Sequence, residues 1–322
     1  MLSDPSYEVP WNPAAEDDPL LFIAEVNVPI VFNTLGDAIV DRRRWAIGGS
    51  ILPSFKARML TTDSNPVSTP SFQPSFWVDG YYVSYPSRDY FGTSWRNPIL
   101  HSLHAAIGLE HHSNGQEVCP FLADPDAPRY HSSDGDNCDG QNNDWTDNNV
   151  NYRTGEFSST ALMGRLDAEY NMIEGETGEE RLGLVAGQLY RIELPESATG
   201  ALEDEHRKLY GLYSITTRLA FWSQYTPLPW LAGRITGEIT VAHFVSKSVD
   251  DLKAPPKHYA MEGRWTLDEA AGGGVYVRWE NGRDPYNIRY LSNLNVLHWG
   301  LVFEHRSKIY RPKFAPPPPE TD

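Results

Sequence analysis

Period-2 alternation runs through most of this 322-residue chain, and along it the charged residues keep to one parity. Successive side chains of a β-strand point to opposite faces, so parity reads directly as face. In 156–172, Leu162, Gly164, Leu166, Ala168 and Tyr170 oppose Arg165, Asp167 and Glu169. In 206–222, Leu209, Gly211, Tyr213, Ile215, Thr217, Leu219 and Phe221 oppose Tyr210, Ser214, Thr216 and Arg218. In 257–268, Tyr259, Met261, Gly263, Trp265 and Leu267 oppose Glu262, Arg264 and Thr266. A soluble sandwich also alternates, but it turns its polar residues to water and keeps charge out of its core. Long segments with Trp and Tyr near their ends and charge recurring on one face fit the other solution. That is a barrel with an apolar exterior and a polar interior.

The predicted fold is therefore all-β, a single transmembrane antiparallel β-barrel of about 12 strands with one long extracellular loop. Strands are expected near 20–33, 44–61, 71–85, 97–113, 156–172, 181–194, 206–222, 234–247, 257–268, 273–281 and 287–304. A bacterial barrel has an even number of strands, so one is hidden among these eleven. The segment 44–61, which contains Gly48-Gly49 and Pro53, is the one to divide. Residues 1–19 read as an irregular lead-in, 20–304 as the barrel with 114–155 as the loop insertion, and 305–322 as a Pro-rich tail.

Composition agrees with this reading. No window of about 18 apolar residues exists to form a membrane helix, and mean hydropathy is −0.48. Transmembrane strands average out to mildly polar because they alternate. A formal charge of −16 argues against nucleic acid, which requires clustered Lys and Arg. The two cysteines, Cys119 and Cys138, share the long loop and are expected to form a disulfide in an oxidising compartment, contributing roughly 3 kcal/mol. The N-terminus lacks the basic start and apolar core of a signal peptide, so an exported protein would have to be a mature form here, with an added or reassigned methionine.

The chemistry concentrates in Gly108-Leu109-Glu110-His111-His112-Ser113-Asn114-Gly115. His111 and Ser113 share a strand face with Leu103, Ala105, Ile107 and Leu109, while His104, Glu110 and His112 take the other. Histidine beside a serine hydroxyl is the minimum that activates an oxygen nucleophile. A catalytic pair on an apolar strand face suits an enzyme whose substrate is lipid. His112 and Glu110 are expected to face inward in structural roles.

His111-His112-Ser113-Asn114-Gly115 resembles the H-x-S-N-G active-site stretch of the outer-membrane phospholipase A family. Asn97–Glu110 resembles that family's preceding strand, and Phe157–Glu169 the strand that follows. Tyr210-Gly211-Leu212-Tyr213 and Pro285-Tyr286-Asn287 through Phe303 resemble later strands. The resemblance implies a twelve-stranded barrel in the bacterial outer membrane that hydrolyses phospholipid acyl esters, requires calcium and pairs as a homodimer in the membrane. It makes Ser113 the nucleophile, His111 the general base and the Gly115 backbone N–H an oxyanion donor. Aligning 158–169 with the family's next strand puts Thr160 where the family has the asparagine that orients the histidine; Ser159 and the loop residues Asn149 and Asn151 are the other candidates for that role. Calcium would be held by backbone groups around Gln116 and by the side chain of Glu156. Gln116 stands where the family has arginine, and 114–155 is longer than the family's corresponding loop.

The acidic loop segment 134–149 carries oxygen donors suited to calcium, but Cys138 falls where an EF-hand needs its third ligand, so it reads as a solvated loop. Arg42-Arg43-Arg44 and the Arg306–Lys313 run read as headgroup anchors. Two other functions are weighed. One is a catalytically silent outer-membrane barrel acting structurally or through its loop. The other is a lipid A deacylase-like hydrolase, which also uses H-x-S on an outward strand face but lacks here a glutamate partner in register.

Overall fold

The computed structural model describes residues 2–3, 20–27, 30–40, 43–60, 67–84, 99–114, 158–173, 180–199, 204–223, 233–248, 253–266, 273–283 and 293–303. They form one antiparallel sheet of β1 (Leu2–Ser3), β2 (Leu20–Asn27), β3 (Ile30–Val40), β4 (Arg43–Leu52), β5 (Ser54–Leu60), β6 (Val67–Phe72), β7 (Ser75–Ser84), β8 (Ile99–Ser113), β9 (Ser158–Ile173), β10 (Glu180–Glu193), β11 (Tyr213–Ser223), β12 (Arg234–Val245), β13 (Lys257–Thr266), β14 (Gly273–Arg283) and β15 (Asn293–Phe303). Two short helices, α1 (Glu196–Thr199) and α2 (Asp204–Tyr210), link β10 to β11. Among the described residues, no helix is long and apolar enough to cross a membrane.

Fifteen strands reduce to twelve staves, because three staves are interrupted at one level and keep their register across the break. Asn27 pairs Ser54 and Ile30 pairs Ile51 on one continuous ladder. Phe55 pairs Phe72 and Leu52 pairs Ser75 on the next. Ser75 pairs Glu110 and Phe72 pairs Ser113 on the third. Pro53 and Pro74, which cannot donate to a ladder, mark two of the breaks. Backbone bonds from Gln73 N to Ser54 O (2.8 Å) and from His111 N to Pro74 O (2.9 Å) carry the sheet past them. The expected division of 44–61 is thus an interruption within one stave. The hidden strand is instead β1, which pairs β15 through Leu2↔Trp299 and Ser3↔His298. This corrects the expectation of an irregular 1–19 at residues 2–3. β1 also lies against β2, the strand at the far end of the run.

The faces are sorted as parity requires. Leu301 is 65 % exposed, Ile107 57 % and Leu166 55 %, whereas Glu280 is 1 % and Arg283 0 % exposed. The covered, inner face is laced with ion pairs. His104 bridges Asp79 at 2.8 Å and Asp167 at 3.3 Å. Arg218 holds Glu238 at 2.8 Å. Glu280 accepts from Arg278 at 2.6 Å and stands 3.2 Å from His298 Nε2. Charge buried on one side and large aliphatics bared on the other invert the arrangement of a water-soluble sheet.

One expected strand start is wrong. Residues 204–210 are helical, so β11 begins at Tyr213 and not near 206. Asp204 opens the helix, Arg207 and Lys208 occupy its last turn, and Gly211 closes it at φ +131° with its N–H on Arg207 O at 2.9 Å. These are favourable charges at both ends of the helix dipole and a glycine stop. Leu209 and Tyr210 are buried against the sheet. The Arg283 guanidinium lies 4.8 Å from the Tyr210 ring and 4.4 Å from that of Phe244, fastening α2 to β12 and β14. Burial pushes the Tyr210 phenol up to about 12.

Candidate active site

The site sits where β8 ends and β9 begins. His111 pairs directly with Thr160, His112 with Ser159 and Ser113 with Ser158. Parity turns His111, Ser113 and Thr160 outward, beside the exposed Leu109 and Leu162. His111 Nδ1 and Thr160 Oγ1 are 3.1 Å apart, a hydrogen bond between cross-strand neighbours. Ser113 lies two residues along the same strand from His111, about 7 Å at the backbone. His111 is exposed, whereas Ser113 and Thr160 are half-buried.

Each side chain is set by backbone on both flanks. The N–H of His111 donates to Pro74 O, on the interrupted stave beside β8. On the other side, Leu194 N donates to Thr160 O at 2.9 Å, tying the start of the helical linker to β9.

Behind this outward group, the inner face carries residues whose partners parity alone does not reveal. His112 is buried and accepts from Gln73 Nε2 at 3.0 Å. That fits its expected inward position. Glu110 also points inward and pairs with Arg191 of β10. The same Arg191 contacts Glu193 through Nε and donates from NH2 to Ser159 Oγ at 3.1 Å. Arg191, Glu193 and Gln73 were not singled out from the sequence. Their inward parity was readable, but their convergence depends on a three-strand register joining distant stretches of chain.

Gly115, Gln116, Glu156, Cys119 and Cys138 lie outside the described residues, as does the rest of 115–157. The oxyanion donor, the calcium ligands and the disulfide pairing therefore stay expectations. Among the described residues, no three His, Cys, Asp or Glu side chains are grouped to hold a metal ion.

No family sequence model matches this chain, and no curated protein matches it in sequence. Solved structures that resemble it in shape include two outer membrane phospholipases. The outer membrane phospholipase A from Escherichia coli is 12 % identical, with 90 % of this chain and 81 % of that chain covered at a TM-score of 0.46. The Salmonella typhi outer membrane phospholipase, a dimer with bound calcium, is also 12 % identical, with 87 % and 78 % covered at a TM-score of 0.44.

Proposed function

We propose that this chain is a bacterial outer-membrane barrel that hydrolyses the acyl esters of phospholipids, with Ser113 as nucleophile and His111 as general base. The observation that carries this reading is the His111 Nδ1–Thr160 Oγ1 hydrogen bond, on the same apolar outward face as Ser113. A histidine whose Nδ1–H donates to a fixed oxygen is locked in one tautomer, leaving the Nε2 lone pair to act as base.

The reaction follows from those atoms. Ser113 Oγ attacks the ester carbonyl carbon while His111 Nε2 takes the hydroxyl proton. The tetrahedral intermediate collapses, and the imidazolium returns the proton to the departing lysophospholipid alkoxide. Water, deprotonated by the same nitrogen, then attacks the acyl-serine; the acyl–Oγ bond breaks, the imidazolium returns the proton to Ser113 Oγ, and the fatty acid is released. The Gly115 N–H as oxyanion donor, calcium held near Gln116 and Glu156, and a homodimeric active form come with the H-x-S-N-G resemblance. The apolar exterior supports the lipid setting: ester groups at the bilayer rim reach the outward face without leaving the membrane.

Acyl release from phospholipid mixed micelles tests the proposal, with folded wild type compared to Ser113→Ala and His111→Asn, in calcium and in chelator. Release that needs both residues is expected. Equal release by all three would remove the assignment. A second reading, a silent barrel with a structural role, draws on one specific feature: position 160 offers a hydroxyl, a weaker orienting group than an amide. Absence of release from folded wild type under every condition would favour it.

A further inference from the structure

We propose that Arg191 is a positioning residue for this site, an internal clamp that fixes the His111–Thr160 pair from the opposite face of the sheet; the inference rests on the Ser113/His111 reading above. His111 and Thr160 occupy the third rung from the end of the described β8–β9 ladder, near the terminus where strands fray most readily. Their hydrogen bond requires the two backbones to stay level there. The residues immediately before them, Glu110 and Ser159, point inward, and one guanidinium holds both: NH1 on the Glu110 carboxylate and NH2 on Ser159 Oγ at 3.1 Å. Its Nε is anchored on Glu193 of its own strand. The guanidinium carbon stands 6.0 Å from the centre of the Tyr210 ring.

A guanidinium is suited to this task because its donors form a rigid planar fork. Its three nitrogens address β8, β9 and β10 at once, so sliding or twisting β8 against β9 breaks a charge-assisted bond in a largely buried place. A lysine keeps the charge but offers a single flexible ammonium, which cannot hold Glu110, Ser159 and Glu193 in the same geometry. Arg191 acts only through Glu110 and Ser159 on their neighbours, and it lies on the face away from lipid.

The test uses the full chain with 15N-labelled histidine, folded in detergent micelles, as wild type, Arg191→Lys and Ser159→Ala. His111 signals are assigned by their loss in His111→Gln. Two readouts are taken: the hydrogen-bonded Nδ1–H resonance of His111, and kcat and KM for a short-chain phosphatidylcholine. We expect Arg191→Lys to lose the sharp Nδ1–H signal and to drop kcat about 10- to 100-fold with KM changed less than about twofold, the pattern of misplaced rather than unbound reactants. Ser159→Ala removes only the β9 arm and shows the same changes in smaller measure, about threefold in kcat. Folded Arg191→Lys with the wild-type resonance and wild-type kcat would overturn the clamp. Should Arg191→Lys not fold, Ser159→Ala decides alone, and its matching wild type in both readouts overturns the clamp. A wild type that shows the resonance without hydrolysing ester removes the esterase reading, while loss of that resonance in Arg191→Lys still supports the clamp.

Discussion

Thr160 Oγ1 lies 3.1 Å from Nδ1 of His111, its direct cross-strand partner, and both project from the exposed apolar face of the sheet. A hydroxyl oxygen accepting from Nδ1–H orients the ring but contributes only an ordinary neutral hydrogen bond, about 1 kcal/mol net. Thr160→Val keeps the side-chain shape and deletes that acceptor. Its kcat is expected to fall roughly tenfold or less, following the size of that bond. Thr160→Asn supplies an amide acceptor and is expected to match or exceed wild type. Steady-state kinetics on the same phospholipid decide both.

The bared aliphatics make a second prediction. Leu166 faces outward midway along β9 and is 55 % exposed. Leu166→Arg should destabilise the bilayer-inserted protein by about 2–4 kcal/mol, measured by urea unfolding from vesicles. On a water-facing sheet the same change would be neutral and would raise solubility.

Inside, Glu280 is fully enclosed between Arg278, His258 and His298. Removing one partner of a buried charge group costs about 3–5 kcal/mol because the other is left uncompensated. Glu280→Ala should therefore shift the urea midpoint strongly downward. Arg278→Met added to it should recover part of the loss.

Tyr210 gives a pH-dependent signature outside the strands. Its phenol is pushed up to about 12 by burial, so the folded state keeps a proton that the unfolded chain releases near pH 10. The contribution to stability is full below about pH 10 and drains between about 10 and 12, by up to roughly 1.4 kcal/mol per pH unit. Ultraviolet titration of wild type against Tyr210→Phe should show one late-ionising phenol missing from the variant. An early-ionising one missing instead would place Tyr210 in contact with water.

Much of this was legible because a strand has only two faces. Parity alone put His111 and Ser113 outward with Leu109, and His112 and Glu110 inward, as the sheet has them. Thr160 was reached through the resemblance, and the ladder sets it opposite His111. Parity failed at 206–212, where alternating polarity resembles a strand but Gly211 at positive φ ends a helix. It was silent on Leu2–Ser3, two residues too short to carry a period. The Arg191 cluster stayed hidden for a different reason. Glu110, Ser159 and Arg191 meet only once β8, β9 and β10 are in register, and registry is a property of the ladder that no single segment states.

The central claim, that Ser113 is an activated nucleophile, is tested most directly by covalent labelling. Folded protein in detergent is treated with a long-chain alkyl fluorophosphonate, and the modified peptide is identified by mass spectrometry. One adduct is expected, on Ser113, absent in Ser113→Ala and formed far more slowly in His111→Asn. Folded wild type that takes no label on Ser113, or labels there at the same rate without His111, would contradict it.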